Sequence, residues 1–181
     1  MMGKDLTARF YGRPHSKSDY IGCSLGGRQG IYAADSFPED FDGIVAGAPA
    51  LDFNNLVSWR ASFFLITGSV NSPRYITESQ WKGLIHPEVL RQCDGIDNVL
   101  DGVIEDPTLC SFQPDILLCE RDQTHGCLSH DQVETVREIF SPLRDENNRL
   151  IYPAMQPGSE LRSANGLYAG KPFMYSEVSM F

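Results

Sequence analysis

Gly22-Cys23-Ser24-Leu25-Gly26 is the stretch on which the reading of this chain turns: it fits the G-x-S-x-G turn that presents a nucleophilic serine, with a cysteine directly beside it. Ser18-Asp19-Tyr20-Ile21 before it reads as a short strand, and Gly27-Arg28-Gln29-Gly30-Ile31-Tyr32-Ala33-Ala34 after it reads as a helix ending near Phe37-Pro38. A sharp strand-to-helix turn strains the backbone of its serine. Side chains two positions before and two after that serine would collide with the neighbouring strand and helix, which gives Gly22 and Gly26 a mechanical reason. Ser24 Oγ then projects above the sheet edge while the Leu25 backbone N–H, at the helix N-terminus, faces a developing oxyanion. This is the machinery of ester hydrolysis; a Gly-rich helix start with an incidental serine is the competing reading.

Working outward, residues 1 to 50 give a helix (Lys4 to Phe10), the strand, the turn, its helix, and a second strand at Gly43-Ile44-Val45-Ala46. That order is one βαβ unit of a parallel sheet, and it places the chain in the α/β class. The pattern changes after Pro49. Trp59 to Ile66 reads as helical, Thr77-Glu78-Ser79-Gln80 is a capping box ahead of Trp81, Leu84 and Ile85, and His86-Pro87 restarts a short helix ending at Cys93. Ser129 with Gln132 is a second capping box, opening a helix with Val133, Val136, Ile139 and Phe140 at helical spacing. From Ser141 onward the chain reads as irregular. The boundary is expected near residue 50, with a partial hydrolase core at 1–50 and an α-rich domain at 51–181.

Of the five cysteines, Cys93 and Cys110 bracket an acidic loop, Cys119 and Cys127 bracket a short polar one, and Cys23 stands apart. Two local bridges and one unpaired thiol is the simplest partition, and it implies an oxidising compartment; five reduced, buried thiols is the other. Neither pair has the C-x₂-C spacing of a zinc site. Within the acidic loop, Asp94, Asp97 and Asp101 fall three and four residues apart among glycines. Hard oxygen donors at that density suit calcium, with the carbonyls of Val99 and Val103 completing the set. An EF-hand register fails, because Val99 takes its third position and Thr108 its twelfth. A solvated acidic turn is the bland alternative.

The chain has 181 residues, 41% apolar and 22% charged, with a formal net charge of −9. This composition is globular, and the acidity argues against nucleic acid and anionic membrane surfaces as partners. No apolar run exceeds four residues, as in Phe63-Phe64-Leu65-Ile66, far too short to span a bilayer. Met1 to Thr7 lacks the apolar run of a signal peptide, which by itself implies the cytosol, against the cysteine reading.

Gly22 to Gly30, Phe37-Pro38-Glu39-Asp40-Phe41-Asp42-Gly43-Ile44-Val45-Ala46-Gly47-Ala48-Pro49-Ala50, and Cys93-Asp94 through Ile104 with Asp106-Pro107 and Cys110 together resemble the tannase and feruloyl esterase family. The likeness continues through Cys127-Leu128-Ser129 and Tyr152-Pro153 to Pro157-Gly158-Ser159-Glu160. It implies an α/β-hydrolase core fragment followed by a disulfide-stapled lid domain, with Ser24 as nucleophile and Leu25 as oxyanion donor. It further implies bridges Cys93–Cys110 and Cys119–Cys127, and a structural calcium held at Asp94, Asp97, Val99, Asp101 and Val103. Cys23 matches a family cysteine that bridges to one beside the catalytic histidine, outside this chain. The implied activity is hydrolysis of phenolic esters, hydroxycinnamate or gallate, free or polysaccharide-linked, by a secreted serine carboxylic ester hydrolase. The family's triad aspartate and histidine and its upstream strands match nothing here: His15, His86, His125 and His130 read as surface or cap residues. The chain thus reads as truncated, with Met1-Met2 an internal start, and as inactive by itself. A calcium-binding lid fragment with a structural or interaction role is the alternative function.

Overall fold

The computed structural model describes residues 2–174, so Met1 and the last part of the expected lid, 175–181, lie outside the described residues. The chain divides into two compact units, Met1–Phe53 and Asn54–Phe181.

The first unit opens with helix α1 (Met2–Tyr11), followed by strand β1 (Asp19–Cys23), helix α2 (Leu25–Ser36), a 3₁₀ turn at Pro38–Asp40 and strand β2 (Gly43–Gly47). β1 and β2 pair in parallel, from Asp19 opposite Gly43 to Cys23 opposite Gly47. Parallel neighbours require a crossover, and α2 supplies it. The helix lies so close to the strands that a Cβ on Gly27 would sit 2.4 Å from the Gly47 carbonyl oxygen. At the opposite end of the strands Asp42 forms a clamp. Its carboxylate accepts the Ser18 N–H at 2.8 Å and pairs with Lys17 at 3.3 Å, while its own N–H donates to the Ser18 carbonyl at 2.7 Å. The Ser18 N–H first, and Lys17 second, hold the Asp42 carboxyl below the usual carboxylate range.

The second unit begins with α3, which spans Phe53–Thr67 across the division. The Thr77 capping box is formed in full, and it opens helix α4 (Glu78–Gln80). The sequence reading has the helix restart at His86-Pro87. Instead a π-helical turn at Trp81–Ile85 runs without a break into α5 (His86–Cys93), with Gln80, Ile85 and His86 all helical. Pro87, which has no N–H to donate, thus lies inside a continuous helical run directly after the π turn. The Ser129 box is likewise complete and opens α6 (His130–Ile139). Around these helices Phe63, Trp81, Ile85, Val89, Val136 and Tyr168 form one buried cluster.

Both bridges are present, Cys93–Cys110 with Cα atoms 5.4 Å apart and Cys119–Cys127 at 4.9 Å, so the reading of five reduced thiols fails for these four. Beyond Ser141 the chain is more regular than its composition implies. Leu143–Arg144 (β3) and Leu150–Tyr152 (β4) form an antiparallel pair, and Glu160–Ser163 forms a short helix, α7. The Asp145 carboxylate accepts the N–H groups of Asn147 and Arg149, and Asn148 takes a left-handed conformation, which closes that hairpin. No described helix is long and apolar enough to cross a membrane.

Candidate active site

Ser24 joins β1 to α2 with φ 58° and ψ −116°, a combination outside the ordinary left-handed region for a side-chain-bearing residue. Such backbone costs on the order of 1–3 kcal/mol and persists only where the surroundings over-determine it. Three hydrogen bonds do so here. The Ser24 N–H donates to Gly47 O at 3.0 Å, and Ser24 O accepts from Arg28 N at 3.0 Å and Ala50 N at 3.2 Å. The serine is therefore tied to β2, to its own helix and to the segment after β2.

The glycine reading is half right. A Cβ on Gly22 would approach Gly26 O to 2.6 Å, as expected, but a Cβ on Gly26 would meet only the Tyr20 hydroxyl at 3.7 Å, an ordinary contact. The tight position on the helix side is Gly27, with Gly47 O at 2.4 Å and Pro49 Cα at 3.0 Å. The reason is rotational: residue 27, not 26, points at the sheet in the first turn of α2, and it is buried while Gly26 is half-buried.

Ser24, Cys23 and Leu25 are exposed, and the Ser24 side chain makes no capping hydrogen bond. The Leu25 N–H, first in α2, has no backbone acceptor among the described residues, as befits a helix N-terminus. Cys23 is a free, exposed thiol. This leaves a hydroxyl, a free N–H and the positive end of a 12-residue helix dipole together on one turn.

His15, His125 and His130 are exposed, as the sequence reading has them. His15 lines a cavity of about 390 Å³ with Lys4, Lys17, Asp40 and Phe41. His86 is not the surface or cap residue read from the sequence. It lies within a continuous helical run, its side chain 17% exposed, and its Nδ1 meets Glu160 Oε1 at 2.5 Å. Glu160 is fully buried, and its Oε2 accepts the Gly158 N–H at 2.8 Å. The carboxylate is thus satisfied at both oxygens, and a partner 74 residues away is a pairing that local spacing has no means to show. Close to it, burial pushes the Tyr168 phenol well up, and the Glu160 carboxylate adds to that shift.

In the acidic loop, Asp97 Oδ1 accepts Val99 N at 2.9 Å, Asp101 Oδ1 accepts Val103 N at 3.0 Å, and Asp94 Oδ1 reaches across to Gly102 N at 3.0 Å. Asn98 and Gly102 are left-handed, at φ 71° and 80°, which curls the segment. Among the described residues no three His, Cys, Asp or Glu side chains converge as a metal cluster. The donor set is nonetheless all oxygen, the class calcium takes.

The probable feruloyl esterase B-2 of Aspergillus flavus is 63% identical over 177 residues, which cover 98% of this chain and 34% of that protein. A crystal structure of feruloyl esterase B from Aspergillus oryzae superimposes with a TM-score of 0.92 at 47% identity, covering 97% of this chain and 35% of that one. A tannin acyl hydrolase from Aspergillus niger gives 0.73 at 25% identity, over 90% of this chain and 31% of that one. The chain thus spans about a third of the length of the relatives it matches. The family model described as tannase and feruloyl esterase matches residues 1–176, and the chain belongs to that family.

Proposed function

We propose that this chain is the nucleophile-bearing segment of a secreted serine carboxylic ester hydrolase that cleaves phenolic esters of the hydroxycinnamate or gallate type, free or linked to polysaccharide. In this reading residues 1–50 are part of an α/β-hydrolase core, and residues 51–181 form its lid. The observation that carries it is the backbone of Ser24, strained to φ 58° and ψ −116° at a strand-to-helix turn that leaves the residue exposed. Strain of this kind, held by three hydrogen bonds, fits a residue whose position is used for chemistry.

In the proposed reaction Ser24 Oγ attacks the acyl carbonyl while a histidine base takes its proton, and the Leu25 N–H stabilises the tetrahedral oxyanion. Loss of one such donor typically costs about 2.7–4 kcal/mol of transition-state stabilisation. The returned proton expels the alcohol, leaving an acyl-Ser24 that water then hydrolyses. The base and its aspartate are assigned beyond residues 1–181, and Cys23 is the thiol that would bridge toward them. The two bridges Cys93–Cys110 and Cys119–Cys127 support an oxidising, extracellular setting.

Calcium belongs to the proposal as a structural ion, held by the carboxylates of Asp94, Asp97 and Asp101 and the carbonyls of Val99 and Val103. Its support is the donor chemistry and the closure of the loop by Asp94 and Gly102. The second reading, a calcium-binding module without turnover, is favoured by one observation: the second unit carries its own core and both bridges.

Turnover of an activated ferulate ester distinguishes them. It is assayed for the chain alone and for a graft in which the chain replaces its equivalent segment in the Aspergillus oryzae feruloyl esterase B. The graft is expected to turn over, and Ser24→Ala to lower its kcat by roughly 10⁴-fold or more. A graft unaffected by Ser24→Ala contradicts the proposal.

A further inference from the structure

Tyr20 lies on β1 four residues before Ser24, on the same face of the strand as Gly22. Its hydroxyl donates to the Gly26 carbonyl in the first turn of α2 at 2.8 Å. Its ring fills the space between strand and helix. Tyr20 Cε1 lies 2.8 Å from where a Gly22 Cβ would stand and 2.9 Å from where a Gly30 Cβ would stand. The ring of Phe41 closes the remaining side, edge-on at a centroid distance of 5.6 Å. Two glycines of the G-x-S-x-G region are thus spaces made for one aromatic ring.

We infer that Tyr20 is a positioning residue for the nucleophile: its ring sets the separation of β1 and α2, and its hydroxyl fixes the first turn of α2 on which the Leu25 N–H is carried. The inference rests on the serine-hydrolase reading above, and it deepens that reading. Ser24 is joined to the strand on one side and to α2 on the other, so a tilt of the helix rotates both the hydroxyl and the oxyanion donor. The backbone bonds of Ser24 tether its N–H and carbonyl, and the close approach of Gly27 to Gly47 O seats α2 against the sheet. The Tyr20–Gly26 bond adds a side-chain tie from β1 to the first turn of α2, and it opposes that rotation. A helix displacement near 1 Å suffices to lower a rate roughly a hundredfold without touching substrate affinity in proportion.

Tyr20→Phe keeps the ring and removes only the hydroxyl. It is measured in the Aspergillus oryzae graft beside Ser24→Ala, with kcat, KM, melting temperature and the rate constant for modification by a serine-reactive phosphonate. The expected result is a kcat lower by roughly 10- to 100-fold with KM within about twofold, a parallel fall in the modification rate constant, and an equal fraction of modifiable enzyme. A kcat within about twofold of the parent overturns the assignment. So does a fall matched by loss of modifiable enzyme at an unchanged rate constant, which marks folding alone. If Ser24→Ala is inactive while Tyr20→Phe is normal, only the role of Tyr20 fails; if Ser24→Ala turns over freely, the hydrolase reading fails first.

Discussion

Between Met1 and Phe53 the fully buried residues among those described are Gly27 and Gly30, whereas from Asn54 onward Phe63, Ile76, Trp81, Ile85, Leu128, Ile139 and Tyr168 are each at most 1% exposed. The first unit keeps apolar strand residues at the surface, Ile21 80% and Val45 60% exposed. Its shape comes from backbone brought close to backbone, as at Gly27 and Gly47 or at Ser24 N–H and Gly47 O, with the Tyr20 ring between β1 and α2. The second unit is shaped by side-chain burial, two capping boxes and two bridges. A site that needs accurate aim is thus built where atoms of fixed geometry meet, and the stabilising bulk is built elsewhere. Mutations should sort by which kind of contact they touch.

The largest expected effect is in the side-chain-built unit. Trp81 is fully buried, with its ring 4.9 Å from that of Tyr168, and Trp81→Ala should cost about 3–5 kcal/mol in denaturant unfolding. Hydrogen exchange of α2 amides should be unmoved by it. Protection lost equally in α2 would dissolve the distinction between the units.

Calcium, if held as proposed, acts on the same unit. Saturation at a hundredfold excess over Kd stabilises by about 2.7 kcal/mol, so chelator should lower the melting temperature and Asp97→Ala should abolish the difference. A melting curve that chelator leaves in place removes the metal from the account.

In the backbone-built unit the sharpest contrast is between adjacent residues. Gly27→Ala forces a methyl against Gly47 O and should destabilise by about 1–3 kcal/mol, whereas Gly26→Ala makes only an ordinary contact with the Tyr20 hydroxyl and should be neutral or slightly stabilising through helix propensity. Amide exchange across β1 and α2 reads both. Equal effects would mean that the close approach does not govern this unit.

These residues also show how far the sequence was legible. The G-x-S-x-G stretch located strand, turn and helix because its spacing encodes a local geometry, and both capping boxes announced themselves by a four-residue pattern that the structure forms in full. The motif gives spacing along the chain but not the rotation of the helix toward the sheet, so its pattern points to Gly26 where the structure makes the contact at Gly27. The π turn at Trp81–Ile85 leaves no periodic signal over five residues, so the sequence pattern reads as a restart at His86-Pro87. Glu160 and His86 are 74 residues apart, and the role of Tyr20 depends on which helical carbonyl its hydroxyl reaches. Both are products of tertiary packing, visible only after the elements are assembled. The β3–β4 hairpin had a readable turn at Asp145 to Asn148, but strands of two and three residues carry too little alternation to stand out.

The smallest effect belongs to the clamp at the far end of the strands. The Asp42 carboxyl is held low by the Ser18 N–H and Lys17, so the folded state binds its proton less readily than the unfolded chain does. Its contribution is full above the ordinary carboxylate range and is lost as pH falls through the lowered value. Asp42→Asn should slightly lower the protection of β1 at neutral pH, with the difference from the parent vanishing as pH falls through the lowered value; equal protection at neutral pH would show that the clamp adds nothing.

The central claim is that Ser24 is the nucleophile, and the most direct measurement is mass spectrometry of the Aspergillus oryzae graft after treatment with a serine-reactive phosphonate. The account predicts one adduct, on the peptide containing Ser24, formed in step with loss of turnover and absent in Ser24→Ala. An adduct on another serine with activity lost, or full modification of Ser24 with turnover intact, would contradict it.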